Sequence, residues 1–110
     1  MRVQIEGERR FMTDLAGEFA GFEKADAGPD MTEQKFGFAE AAAIVAIVQG
    51  VAELAQIIKR HLDKRAEKGD QETTQTLRLK SAVGTVVVEV TPDTTVEQLQ
   101  QALTPLTPTR

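Results

Sequence analysis

Phe38-Ala39-Glu40-Ala41-Ala42-Ala43-Ile44-Val45-Ala46-Ile47-Val48-Gln49-Gly50 leads into Val51-Ala52-Glu53-Leu54-Ala55-Gln56-Ile57-Ile58-Lys59-Arg60-His61-Leu62, and the fold turns on how this stretch is read. Seven alanines stand between Ala39 and Ala55. Alanine, leucine, glutamate, glutamine and lysine are strong helix formers. The stretch predicts one helix from Phe38 to about Glu67, on the order of 40 Å long. A compact domain of about 100 residues has a radius of gyration of roughly 13 Å. One end is therefore expected to overhang, namely the charged run Lys59 to Arg65.

At about 100° per residue, Gln49, Glu53, Gln56 and Arg60 fall on one polar face. The first half is apolar almost all round, Glu40 excepted. A helix of that kind must be covered on every side. Ala42, Ala46 and Gly50 form a stripe of small residues along which another helix can approach closely. That helix belongs either to the same chain, between Phe11 and Phe22, or to another molecule. Phe36, Phe38, Ala42, Ala46 and Gly50 are the candidate interface residues. A membrane span needs about 20 mostly apolar residues. The uninterrupted apolar run is only Ala41 to Val48, and Glu40 and Glu53 are costly in hydrocarbon, so a stable transmembrane helix is not expected.

Upstream, Arg2 to Glu6 alternates with Val3 and Ile5 on one side, which predicts a short strand. Phe11, Leu15, Phe19 and Phe22 recur at helical spacing. Glu23 to Lys35, with Gly28-Pro29-Asp30, reads as a loop. Downstream, Thr76 to Lys80 and Thr85 to Val90 predict a β-hairpin around Ser81-Ala82-Val83-Gly84. Thr94 and Glu97 have capping-box spacing ahead of a helix lined by Val96, Leu99 and Leu103. The expected architecture is α+β: a three-stranded sheet, made of the N-terminal strand and the hairpin, packed on one long helix with a short helix at each end. Residues 1–104 form one domain and 105–110 a disordered tail.

The chain has 110 residues, 41% hydrophobic and 27% charged, with a net charge of -4. An acidic balance argues against a nucleic-acid surface, which needs a basic stripe. No cysteine is present, so disulfides, thiol catalysis and zinc knuckles are excluded. The N-terminal residues contain no apolar signal core, and a cytoplasmic location is expected. His61 stands alone in a charged run and is expected to be a solvated surface residue. Glu40 is expected to sit at a rim, to favour the helix start through the dipole, or to pair with a lysine, Lys35 being near enough in sequence. No phosphate-binding glycine motif or nucleophile elbow occurs. The residues predict no catalysis, no metal and no cofactor.

The stretches Ala43 to Leu62, Thr76-Leu77-Arg78-Leu79-Lys80 and Val96-Glu97-Gln98-Leu99 to Leu103 together resemble the small bacterial components called effector-associated constant component one. That resemblance implies a non-catalytic module of bacterial conflict or defence systems, coupling peptidase or nucleotide-linked effectors to sensors. The resulting expectation is an adaptor that binds a protein partner or itself through the apolar half of the long helix. The rival readings are an antitoxin or immunity-type inhibitor, a membrane-active protein that releases its helix, and a small-molecule binding domain.

Overall fold

The computed structural model describes residues 1–19, 21–25, 40–67 and 74–107. The elements run β1 (Arg2–Glu8), α1 (Arg9–Ala16), β2 (Phe22–Ala25), β3 (Ala41–Ile47), α2 (Val51–Glu67), β4 (Gln75–Ser81), β5 (Gly84–Val90) and α3 (Val96–Leu103), followed by a 3₁₀ turn, Thr104–Leu106. The strands form one sheet in the order β2-β3-β1-β4-β5, with every neighbouring pair antiparallel. Since β3 and β4 both run against β1, they are parallel to each other, and α2 is the crossover that joins them.

The expected three-stranded sheet on one long helix is therefore wrong. The hairpin and its pairing with β1 are present, but the sheet has five strands, and the predicted 40 Å helix is a strand followed by a helix of 17 residues. The run Ala43 to Val48 explains why. Ile44, Val45, Ile47 and Val48 are β-branched, stiff at χ1 and suited to a pleated surface. An apolar run enclosed on both sides carries no period, and so reads equally as buried helix or buried strand. β1 supplies the deciding contact: its second edge accepts β3 from Arg2↔Ile47 to Glu8↔Ala41. Gly50 then begins the helix, its carbonyl accepting from Leu54 N–H, while the Glu53 carboxylate accepts from Gln49 N–H.

The core lies on one face of the sheet. Val3 and Ile5 of β1, Ile44 and Ala46 of β3, and Leu77 and Leu79 of β4 alternate onto that face. Phe11, Met12 and Leu15 of α1, Leu54, Ile58 and Leu62 of α2, and Leu99 and Leu103 of α3 close over them. This is the two-layer solution, helices on one side of an antiparallel sheet. Each large apolar side chain enclosed this way contributes about 1.5–3 kcal/mol.

Other expectations change with the new layout. The N-terminal helix stops at Ala16, and Phe22 belongs to a strand. The start of the expected loop, from Glu23 to Ala25, is also strand, and the rest of that loop lies outside the described residues. The cap of α3 is shifted by one residue: Thr95 Oγ1 accepts from Gln98 N–H while Gln98 Oε1 accepts from Thr95 N–H. Thr94 instead closes the preceding turn through Thr91 N–H. Of the expected tail 105–110, Leu106 is buried and Ser81 Oγ donates to its carbonyl, while residues 108–110 lie outside the described residues.

The basic end of α2 does not overhang. Arg60 and Lys64 both donate to the Glu18 carboxylate just past α1, Lys59 donates to the Pro92 carbonyl, and Arg65 lies over the Phe11 ring at 5.2 Å. His61, expected in solvent, is buried edge-on against Phe11 with centroids 4.8 Å apart. Glu40 is exposed as expected, but its partner is Arg9 at 2.8 Å. Lys35 lies outside the described residues.

Candidate binding surface

The predicted interface does not survive as a helical stripe. Ala42 and Ala46 are on β3, Ala46 is fully buried within the chain, and Gly50 precedes α2. Phe36 and Phe38 lie outside the described residues. Half of the apolar run from Ala41 to Val48 is enclosed by its own chain, since Ala43, Ile44, Ala46 and Val48 are all buried.

Ile47 stands apart, at 77% exposed. It faces away from the helices, alternating with Ile44 and Ala46 on the core side. Phe22 pairs opposite Ala46 on edge strand β2 and is 43% exposed. Ile47 lines a groove of about 310 Å³ with Arg2, Gly21, Glu23 and Val45, which Phe22 borders from the edge strand, its side chain on the face of Ala46. Arg2 and Glu23 reach toward each other at 3.5 Å from strands on either side of β3. A charged rim thus borders an apolar floor made of Val45 and Ile47.

Phe22 also lines a second groove, of about 400 Å³, between α1 and the β2–β3 pair. Arg9, Met12, Thr13 and Ala16 form its helical wall, and Lys24, Ala42 and Ile44 belong to its strand wall. Of the predicted interface residues, Ala42 lines this second groove. The spacing of Phe22 from Phe19 places it on a helix face, although Gly21 immediately before it is a signal that the helix has ended. Ile47 is concealed in the sequence by its all-apolar surroundings.

No protein-family model matches the chain, and no curated protein or solved structure matches it either.

A cluster of charge crosses the centre of the sheet on the face away from the helices. Arg78 Nη2 donates to Glu6 Oε2 at 2.6 Å, Lys80 Nζ lies 3.4 Å from Glu6 Oε1, and Gln4 Nε2 donates to that same oxygen at 3.0 Å. Glu6 is completely buried and Arg78 nearly so. A carboxylate held by two cations and an amide fixes the register of β1 against β4. The signal lies in the alternation: Glu6 on β1 and Arg78 and Lys80 on β4 all fall on the non-core face once the strands are paired.

The second buried polar group is His61. Burial and then the neighbouring Arg65 cation push its pKa below the ordinary value, against the opposing pull of Glu18 and Asp14. Its Nε2 makes no hydrogen bond. The ring acts as a neutral packing element between α1 and α2. Among the described residues no group of three or more His, Asp or Glu side chains stands close enough to hold a metal ion, and no helix is long and apolar enough to cross a membrane. The helix-releasing reading loses its helix, because Ala41 to Ile47 is strand.

Proposed function

We propose that this chain is a non-catalytic binding module whose partner is another protein, engaged at the β2–β3 end of the sheet. One observation carries the reading. Ile47 is largely exposed on a strand whose core-side residues are buried, and it lines a groove with Val45, Arg2 and Glu23 on the face away from the helices, bordered at the edge strand by Phe22. A large exposed apolar side chain set in an apolar groove with a polar rim marks a protein contact site, whereas one standing alone on a polar surface does not. Arg2 and Glu23 at the rim supply directional contacts of both signs. The resemblance to effector-associated constant component one points the same way and suggests an adaptor role in bacterial defence.

Site-specific photo-crosslinking in the native host tests this. A photoreactive residue at position 47 is expected to give a discrete heavier adduct, identified by mass spectrometry. The same residue at Glu97, exposed on α3, is expected to give none. Val45→Glu, at the half-buried floor of the same groove, should abolish the adduct while the circular dichroism spectrum is retained. Equal labelling from positions 47 and 97, or no adduct from 47, overturns the proposal.

A further inference from the structure

The two edges of the sheet are built differently. β2 is four residues long and carries Glu23 and Lys24, the short charged edge that discourages strand pairing. β5 is seven residues long and reads Gly-Thr-Val-Val-Val-Glu-Val. It contains four valines, one charge and no proline, which is the composition of a strand that invites a neighbour.

Its hydrogen-bonding pattern says which neighbour. The hairpin closes on the pair Ser81↔Gly84 across a two-residue loop, and such a loop ends on a hydrogen-bonded pair. Gly84, Val86, Val88 and Val90 therefore turn their peptide groups toward β4. Thr85, Val87 and Glu89 turn theirs outward, and none of the three has a partner there among the described residues. The outward set is symmetric about Val87.

We propose that β5 pairs antiparallel with β5 of a second copy of this chain, on a two-fold axis through Val87, to form one continuous sheet across both copies. In that register Val87 faces Val87 and Thr85 faces Glu89 of the other copy, so every outward N–H of these residues meets an outward C=O. On the face away from the helices Val87, 54% exposed, meets its own counterpart. On the core face the half-buried Val86 and Val88 meet each other and extend the apolar layer. Thr85 would stand beside Glu89 of the other copy, so no like charges face each other along the paired strands. This is an isologous contact that closes at two copies. It lies at the opposite edge from the groove of Ile47 and does not rest on the function proposed there.

Sedimentation equilibrium of the purified chain is expected to give twice the 12.0 kDa monomer mass. Val87→Lys places two cations on the axis and should return the mass to that of a monomer with an unchanged circular dichroism spectrum. Because the chain has no cysteine, register is readable by disulfide trapping. A hydrogen-bonded antiparallel pair has Cα atoms about 5.5 Å apart, within disulfide reach. Val87→Cys alone should crosslink on mild oxidation, Thr85→Cys alone should not, and Thr85→Cys mixed with Glu89→Cys should. A monomer at every concentration, or a dimer that survives Val87→Lys and fails to crosslink at position 87, overturns the proposal. An adduct at position 47 with a monomeric chain would leave the groove reading standing and this one refuted.

Discussion

Glu6 and Arg78 stand directly opposite each other on β1 and β4, and the guanidinium donates to the fully buried carboxylate at 2.6 Å. Two strands distant in sequence are joined by a charge pair taken out of water. Such a pair is weak evidence of net stability but strong evidence of register, because any slip leaves a buried charge uncompensated.

Removing one partner should therefore be costly. Arg78→Met is expected to destabilise the fold by about 3–5 kcal/mol, while the double variant Glu6→Leu with Arg78→Met recovers most of that loss. Urea denaturation of the two single variants and the double, read as a mutant cycle, measures the coupling.

His61 sets a pH dependence. Its folded pKa lies below the ordinary 6.5 because burial disfavours the imidazolium. Below 6.5 the unfolded chain takes up a proton that the folded chain resists, so unfolding gains ground as pH falls. The His61 contribution is complete above 6.5 and is lost as pH drops toward the lowered folded value. Thermal melts stepped from neutral pH downward should show the decline, and His61→Phe should flatten it.

Glu18 adds a later acid step. Lys64 and, less strongly, Arg60 hold its carboxyl below the ordinary 4.5, with burial opposing them. Stability from this tie between α1 and α2 is present above 4.5 and is lost as pH falls through the lowered value. Glu18→Gln should remove that step. It should cost about 0.5–1 kcal/mol at neutral pH, since Arg60 and Lys64 are more than half exposed. Added salt should shrink the difference.

Gly7 is set by close approach rather than by a turn. A Cβ there would lie 2.8 Å from Leu77 Cδ2 and 3.3 Å from both Met12 Sδ and the Thr76 carbonyl. Leu77 and Met12 are fully buried and have little room to retreat. Gly7→Ala is expected to destabilise by about 1–3 kcal/mol. Gly50→Ala, where an added Cβ meets nothing, serves as the unstrained control in the same denaturation assay.

The cap of α3 gives a local check. Thr95→Ala removes the acceptor for Gln98 N–H and should cost about 1 kcal/mol. Thr94→Ala should act instead on the Thr91 turn and leave α3 helicity unchanged by circular dichroism.

The sequence by itself determined the elements whose pattern is written in their own residues. Val3 and Ile5 alternate as a half-buried strand, Leu77 and Leu79 mark one arm of the hairpin, and Leu99 and Leu103 line a capped helix. Tertiary structure decided the rest. Ala41 to Ile47 has a composition that suits a buried helix or a buried strand, and it became a strand because β1 has two edges and the hairpin uses only one. That choice moved Ile47 to the surface, buried Ala46, brought His61 against Phe11 and left Phe22 on an edge. Local propensity differs between the two conformations by tenths of a kcal/mol per residue, on the order of 1 kcal/mol for the segment. An unpaired buried edge would forfeit a row of hydrogen bonds at about 1–3 kcal/mol for each group left unsatisfied, and that loss outweighs the difference in propensity.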